Sequence, residues 1–395
     1  MHPSGDYAAE RQSTLFLILY ALAVAGGAIA YVPFLTILLP AHVTGFAGEG
    51  SLSVLAHIAF AGAVSASIAN ILFGWLSDMA GTRRPWIIGG LILASAMLLT
   101  VRHITDPALL ITAIILWQFA LNMMLAPLAA WAGDTVPDAQ KGLLGGLLAF
   151  APAMGALAGY IVTAAPLLTP DYRLPAVAAL TILCVSPVLL LGIPRAIAPA
   201  STLSGPRHPL SSLKNMASRM WLARFLVQIA EASLFAFLLV WFRKLDPAFP
   251  DERVAAIFSA VLASAVLLAL WLGHWSDRHR KPIQPLALCA GMSALGLGIM
   301  ASASDIALAI VGYVIFGLGG SIFLALHSSQ TLRVLLDPTR RGRDLGIFNL
   351  TNTVPSLVMP WLTLALVPVY GFGVLFLLLA LLALAAAILL AIEIG

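Results

Sequence analysis

GWLSDMAGTRRPW, residues 74–86, sets Asp78, Arg83 and Arg84 close together in a chain of 395 residues of which only 10% are charged. The pattern returns as GHWSDRHRKP at 273–282, a displacement of 199 from Gly74 to Gly273 and from Asp78 to Asp277. A second pair follows: TVPDAQKGLLG at 135–145 is echoed by LLDPTRRGRDLG at 335–346, with Gly342 lying 200 residues beyond Gly142. Two different motifs repeating at displacements of 199 and 200 indicate two copies of one design.

The copies are built of oil-soluble material. Hydrophobic residues make up 61% of the chain and its mean hydropathy is +0.99, whereas soluble domains are about 45–50% apolar. A hydrocarbon core of about 30 Å needs roughly 20 apolar residues per helical crossing. Twelve charge-poor runs near that length occur, at 15–39, 51–76, 86–101, 109–130, 143–165, 176–193, 217–241, 254–272, 285–301, 306–326, 347–369 and 372–392. Barrel strands would alternate over about ten residues. The expected fold is an all-α membrane protein of twelve transmembrane helices in two pseudo-symmetric six-helix bundles.

The domain reading is an N-terminal bundle at 1–194, a cytoplasmic linker at 195–216 carrying PASTLSGPRHPLSS, and a C-terminal bundle at 217–395. The first run is too long for a signal-peptide core and lacks a small-residue cleavage site, so it reads as an uncleaved helix. With the N-terminus inside, 16 of the 21 basic residues fall in inner segments and 5 (Arg102, Arg173, Arg243, Lys244 and Arg253) in outer ones. This is the positive-inside bias. The net charge of +4 therefore reports topology rather than nucleic-acid binding, and predicts a multi-pass inner (plasma) membrane protein with both termini cytoplasmic. Cys184 and Cys289 lie within apolar runs and read as small buried hydrophobes.

Six plus six helices, a central linker and a G-x-x-x-D-x-x-G-x-R loop between the second and third helices resemble the major facilitator superfamily of secondary transporters. Gly74, Asp78, Gly81 and Arg83 occupy its signature positions; the second half keeps Gly273 and Asp277 but has Arg280 at the later glycine position. RRPWI at 83–87 is similar to the glycoside and disaccharide cation symporters, including the sucrose–proton group. Those relatives carry coupling carboxylates on first-bundle helices, and here the first, second, fourth and fifth apolar runs contain no acidic residue. The superfamily resemblance implies alternating access, with Asp78, Arg83, Arg84, Asp277, Arg278 and Arg341 as gating residues on the inner side.

Charge inside a span costs roughly 2.5–3.5 kcal/mol on insertion scales, so intramembrane ionisable groups are functional candidates. The seventh run places Arg224, Gln228 and Glu231 on one helical face. Glu231 lies about 20 Å from the inner end and is the candidate proton carrier; the competing reading is a Glu–Arg–Gln lock to a neighbouring helix, with Gln228 bridging. Arg224 is a candidate for substrate or counter-ion binding, or snorkels to headgroups. His57, in the second run, is a second proton candidate. Gln118, Asn122, Asn349, Asn352, His327 and Tyr31 are candidate solute-lining residues, the alternative for each amide being interhelical glue. Tyr20 and Trp117 either stack on a ring or sit at an interface. Gly142, Gly146, Gly155 and Gly159 read as close helix crossings, and Pro33 and Pro152 as bends.

No phosphate loop, G-x-S-x-G elbow, H-E-x-x-H or metal-ligand cluster occurs in the sequence. The expectation is a monomeric, non-enzymatic, cofactor-free transporter. Its partners are a small solute, the proton and the bilayer. Proton-coupled uptake of a small polar organic solute is the leading function; proton-antiport export of drugs or metabolites and a non-transporting assembly or sensor role are the alternatives.

Overall fold

The computed structural model describes residues 11–137, 140, 144, 147–148, 150–164, 168–194, 210–279, 283–334 and 341–392. Within them, the side chains of 49, 210–217, 277 and 328–349 lie outside the description. The described residues are helical, joined by short turns. The elements are α1 (Thr14–Ala47), α2 (Ser51–Met79), α3 (Arg84–Val101), α4 (Pro107–Thr135), α5 (Ala151–Ala164), α6 (Pro170–Leu191), α7 (Leu210–Leu245), α8 (Asp251–His279), α9 (Gln284–Ser302), α10 (Ile306–Val334) and the segment Arg341–Ala391. That last segment is helical at 341–370 (α11) and 372–391 (α12), with Gly371 between them at φ 79°, ψ 175°.

Ten described helices are long and apolar enough to cross a membrane; α5 is shorter, and Leu350–Ala391, at 42 residues, is long enough for two crossings. The twelve-helix all-α reading holds on these terms. Large apolar side chains such as Ile71, Leu183, Leu190, Leu267 and Trp271 stay exposed, as expected of helices whose outer faces meet lipid rather than water.

The first run extends further than expected. α1 is 34 residues long rather than ending near Leu39, because the helix passes Pro33 through a π-helical turn, Phe34–Leu38. The widened turn accommodates the bond lost at proline. Pro40 then falls in the first turn of the following α segment, where a missing N–H costs little.

Contacts group the chain into two compact units, Met1–Pro33 with Ser65–Arg207, and Phe34–Val64 with His208–Gly395. In the first, α3 pairs with α4, and α1 packs on α5 and α6. In the second, α9 packs on α10 and on the last helical segment, which also packs on α7. Each unit starts its fourth helix in the same way: Asp106 accepts from the Leu109 N–H (2.8 Å) and Asp305 from the Leu308 N–H (2.9 Å). The two caps are 199 residues apart, extending the sequence repeat into backbone chemistry.

Glycine brings backbones together in both units. A Cβ at Gly90 would lie 2.4 Å from the Met124 nitrogen, and one at Gly296 would lie 2.3 Å from the Phe316 nitrogen. Gly155 is pressed against Val32 and the Ala28 carbonyl of α1, as its close-crossing reading requires; Gly142 and Gly146 lie outside the described residues. Cys289 is buried, Cys184 is half-buried beside Gly26, and both are free thiols. The second unit is also tied at one end by Arg243, which donates to Asp251 (2.5 Å) and to the Thr44 hydroxyl (2.9 Å).

Gly371 has no heavy atom within 4 Å of where a Cβ would stand, so only its backbone angles restrict substitution. Gly371→Ala should therefore destabilise the protein by about 1–3 kcal/mol through strain in a region that is essentially glycine-only. Thermal unfolding in detergent checks this; an unchanged midpoint would show that the α11–α12 break tolerates ordinary backbone geometry.

Candidate functional site

The second unit's polar groups lie along the antiparallel pair α7 and α10. Arg224 Nη1 is 3.4 Å from His327 Nδ1, and Arg224 Nη2 donates to Asn352 Oδ1 of α11 at 3.1 Å. His327 is fully buried. Its Nε2 is 2.8 Å from the Met220 carbonyl, an acceptor, so hydrogen-bond logic assigns the proton to Nε2 and leaves Nδ1 as an acceptor facing Arg224. One heptad along α7, the Glu231 carboxyl lies against Gly320, one heptad back along α10. Arg224 opposite His327 and Glu231 opposite Gly320 thus fit a single antiparallel register with a seven-residue step. The next step on α10 is Tyr313, which is buried, in contact with Phe242, and within electrostatic reach of Glu231.

Gln228 does not make the bridge envisaged between Arg224 and Glu231. Its Oε1 and the Glu231 Oε1 are both buried, and neither finds a hydrogen-bond partner among the described residues. The arginine is instead engaged by α10 and α11. A buried carboxylate oxygen without a donor is costly, which makes Glu231 the most demanding group of this unit.

In the first unit, Gln118 and Asn122 are both buried on α4. The Asn122 amide donates to the Gln118 carbonyl (2.9 Å), its Nδ2 is 3.4 Å from Gln118 Oε1, and its Oδ1 is 3.4 Å from Asn70 Nδ2 of α2. Tyr20 is spent on a 2.7 Å bond to the Leu128 carbonyl. Like Trp117 it is fully buried in this unit's core, whereas Tyr31 is half-buried. His57 is exposed, its Nδ1 2.7 Å from the Ser53 carbonyl and its ring edge-on to Trp361 at 6.0 Å.

The GWLSDMAGTRRPW turn is organised by one guanidinium. Arg83 contacts Asp78 Oδ1 at 2.5 Å, Asp134 Oδ2 at 2.9 Å and the Ser77 hydroxyl at 2.7 Å. Burial works against its charge, and the Asp134 and Asp78 carboxylates outweigh that, holding Arg83 above its ordinary range. Ser77 is fully buried, and so is Ser276, its counterpart 199 residues on. Arg84 donates to the Gly192 carbonyl and lies over the Trp131 ring at 5.5 Å. These contacts of Arg83 and Arg84 all fall within the first unit. Arg278 is exposed at the end of α8; the side chains of Asp277, Arg341 and Asn349 lie outside the described residues.

A family model for the Major Facilitator Superfamily matches residues 16–333 and, in a second alignment, 220–394. The chain belongs to that superfamily. The overlapping alignments cover nearly all of the chain. No curated protein matches it significantly. Among solved structures, the fold is similar to a nucleoside transporter, NupG (TM-score 0.69, 13% identity, 97% of this chain and 100% of that one). It is equally similar to an auto-inhibited peptide transporter of the POT family (0.68, 13%, 96% of each chain). A bacterial homologue of the human lysosomal transporter Spinster follows (0.65, 13%, 96% of each). As a member of this superfamily the chain is a multi-pass membrane transporter and not an enzyme.

Within this superfamily protein, Arg224, His327 and Asn352 form one cluster, and Gln118 and Asn122 another. Sequence reasoning missed Asn70, Ser77, Asp134 and Gly320. Asp134 had a signal, an acid just before TVPDAQKGLLG; Gly320 had the diglycine Gly319–Gly320, which carries no side chain to attract notice.

Arg83→Lys should lower stability by about 1 kcal/mol, because an ammonium cannot serve Ser77, Asp78 and Asp134 together and both carboxylates are half-exposed and screened. Thermal melts at low and high salt check it. Added salt should lower the parent midpoint and move the variant's less, and equal salt responses would contradict the assignment.

Proposed function

We propose that this superfamily member is a proton-coupled secondary transporter that takes up a small polar organic solute, sugar-like, anionic or zwitterionic, by alternating access in the inner membrane. The observation that carries the reading is Glu231: a carboxyl deep within an apolar helix, with a buried oxygen that finds no donor among the described residues. Such a group is tolerable when it carries a proton and unfavourable when it does not. Protonation and release are therefore tied to whether the surroundings admit water. His57 is the secondary proton candidate, exposed and hydrogen-bonded to its own helix.

Arg224, Asn352, His327 and Gln228 of the second unit and Gln118 and Asn122 of the first are the candidate donors and acceptors for the solute, with Tyr31 and Asn349 as further lining candidates. Arg224 favours a solute with a carboxylate or similar group. Asp78, Arg83, Arg84, Asp277, Arg278 and Arg341 act as gating charges at the expected cytoplasmic turns, and the transporter works as a monomer with cytoplasmic termini.

Proton-antiport export is the second reading, favoured by the aromatic cluster of Phe60, His57 and the half-exposed Trp361. Lipophilic substrates would use such a surface.

Purified protein in proteoliposomes, given an imposed pH gradient and labelled uridine, dialanine, sucrose or lactate in turn, tests the proposal. Acid outside should drive accumulation of at least one probe, and Glu231→Gln should bring that accumulation down to the gradient-free level while leaving downhill exchange. Flux indifferent to the gradient, or a Glu231→Gln variant that behaves like the parent, overturns proton coupling. Expulsion of a lipophilic cation in place of uptake establishes the export reading.

A further inference from the structure

We propose that Gly320 is a positioning residue for the Glu231 carboxyl: the missing side chain on α10 is what gives the carboxyl its seat. This rests on the reading of Glu231 as the proton carrier. A Cβ built on Gly320 would stand 2.1 Å from Glu231 Oε1, 3.1 Å from its Cδ and 3.7 Å from its Cγ. Real atoms do not approach so closely, so any side chain at 320 displaces either the carboxyl or α10.

α10 is the less yielding of the two. Its neighbouring Gly319 is set into α9, where a Cβ would lie 2.7 Å from the Cys289 carbonyl and 2.9 Å from the Ser293 nitrogen. A Cβ at Gly317 would lie 2.6 Å from Val261 Cγ1 of α8, and one at Gly312 would lie 2.9 Å from the Met300 nitrogen of α9. Three glycines thus seat α10 against its other neighbours by close contact, leaving the flexible glutamate as the part that moves.

The seat also offers no hydrogen bond. Residue 320 is mid-helix, so its peptide groups are committed to the helix, and the bare backbone offers Glu231 contact without a hydrogen bond. Among the described residues the titratable group within electrostatic reach of this carboxyl is Tyr313, seven residues from 320 on α10; one heptad the other way, Arg224 and His327 are engaged with each other. α11 contributes the neutral Asn352 by way of Arg224. Position 320 sits at the middle of this row and sets how far the carboxyl stands from each.

The test is steric complementation, read spectroscopically. Aspartate is shorter than glutamate by one methylene, so Glu231→Asp should make room for the methyl of Gly320→Ala. In proteoliposomes of the whole protein, the protonated-carboxyl stretch lost in Glu231→Gln identifies the band in pH-difference infrared spectra. In Gly320→Ala the titration midpoint of that band should move by about one pH unit. In the double variant, Glu231→Asp with Gly320→Ala, it should return to that of Glu231→Asp alone. An unmoved band in Gly320→Ala overturns the inference, as does a double variant displaced like the single one. Should Gly320→Ala purify poorly, Glu231→Asp must restore its yield and melting midpoint; failure to do so marks Gly320 as a packing residue only. Failure of the parent reading looks different: Glu231→Gln then removes no band and leaves gradient-driven flux intact.

Discussion

Hydrocarbon neither donates nor accepts a hydrogen bond, and every element of this protein answers to that constraint. Backbone groups are satisfied within helices, and several hydroxyls inside them follow suit: Thr163, Thr181, Ser259 and Ser293 each donate to the carbonyl four residues earlier. Longer side chains reach a neighbour's backbone, as Tyr20 does to Leu128 and His327 to Met220. Among the described residues the buried oxygens of Gln228, Glu231, Ser233, Gln284 and Thr363 find no hydrogen-bond partner, and Glu231 is the acid of that group. In a chain with few polar groups to spend, such an acid points to work other than holding helices together.

The α7–α10 pair shows how packing and chemistry share one register. Helices that meet at a shallow angle bring every seventh residue back to the seam. On α7 the seam carries Arg224 and Glu231; on α10 it carries His327, Gly320 and Tyr313. The arginine is met by an imidazole nitrogen in one layer, and the carboxyl in the next fills the room left by the missing side chain of Gly320. The alternation permits two ionisable side chains on one buried stripe without pairing them to each other, which would have fixed both charges permanently.

The two units solve their local problems alike. Asp106 and Asp305 cap equivalent helices, Gly90 and Gly296 let a helical hairpin close, and Ser77 and Ser276 are buried beneath the same turn. Where they differ is informative. The first unit's polar cluster is made of amides, Gln118, Asn122 and Asn70, with no charge among them, while the second holds Arg224 and Glu231. The ionisable members of these buried polar stripes thus lie on the C-terminal elements, consistent with the lack of acids in the first-half apolar runs.

The helical, membrane-spanning character of the chain, the break near Gly371, the duplication and the superfamily were legible in the sequence, because each rests on composition or on motifs within a few residues. Arg224, Gln228 and Glu231 could be singled out for the same reason: helical spacing is local, and ionisable residues within apolar runs are few. What faces each of them was not legible. Arg83 meets Asp134 across 51 residues and Arg224 meets Asn352 across 128, and no periodicity encodes such pairings. Gln228 looked like a bridge and Gly320 like nothing at all. The sequence alone determined which residues are costly to place in a membrane, since that cost follows from side-chain chemistry. Only the tertiary structure decided how each cost is met, since a partner, or the space left by a missing Cβ, exists only once distant segments are packed together.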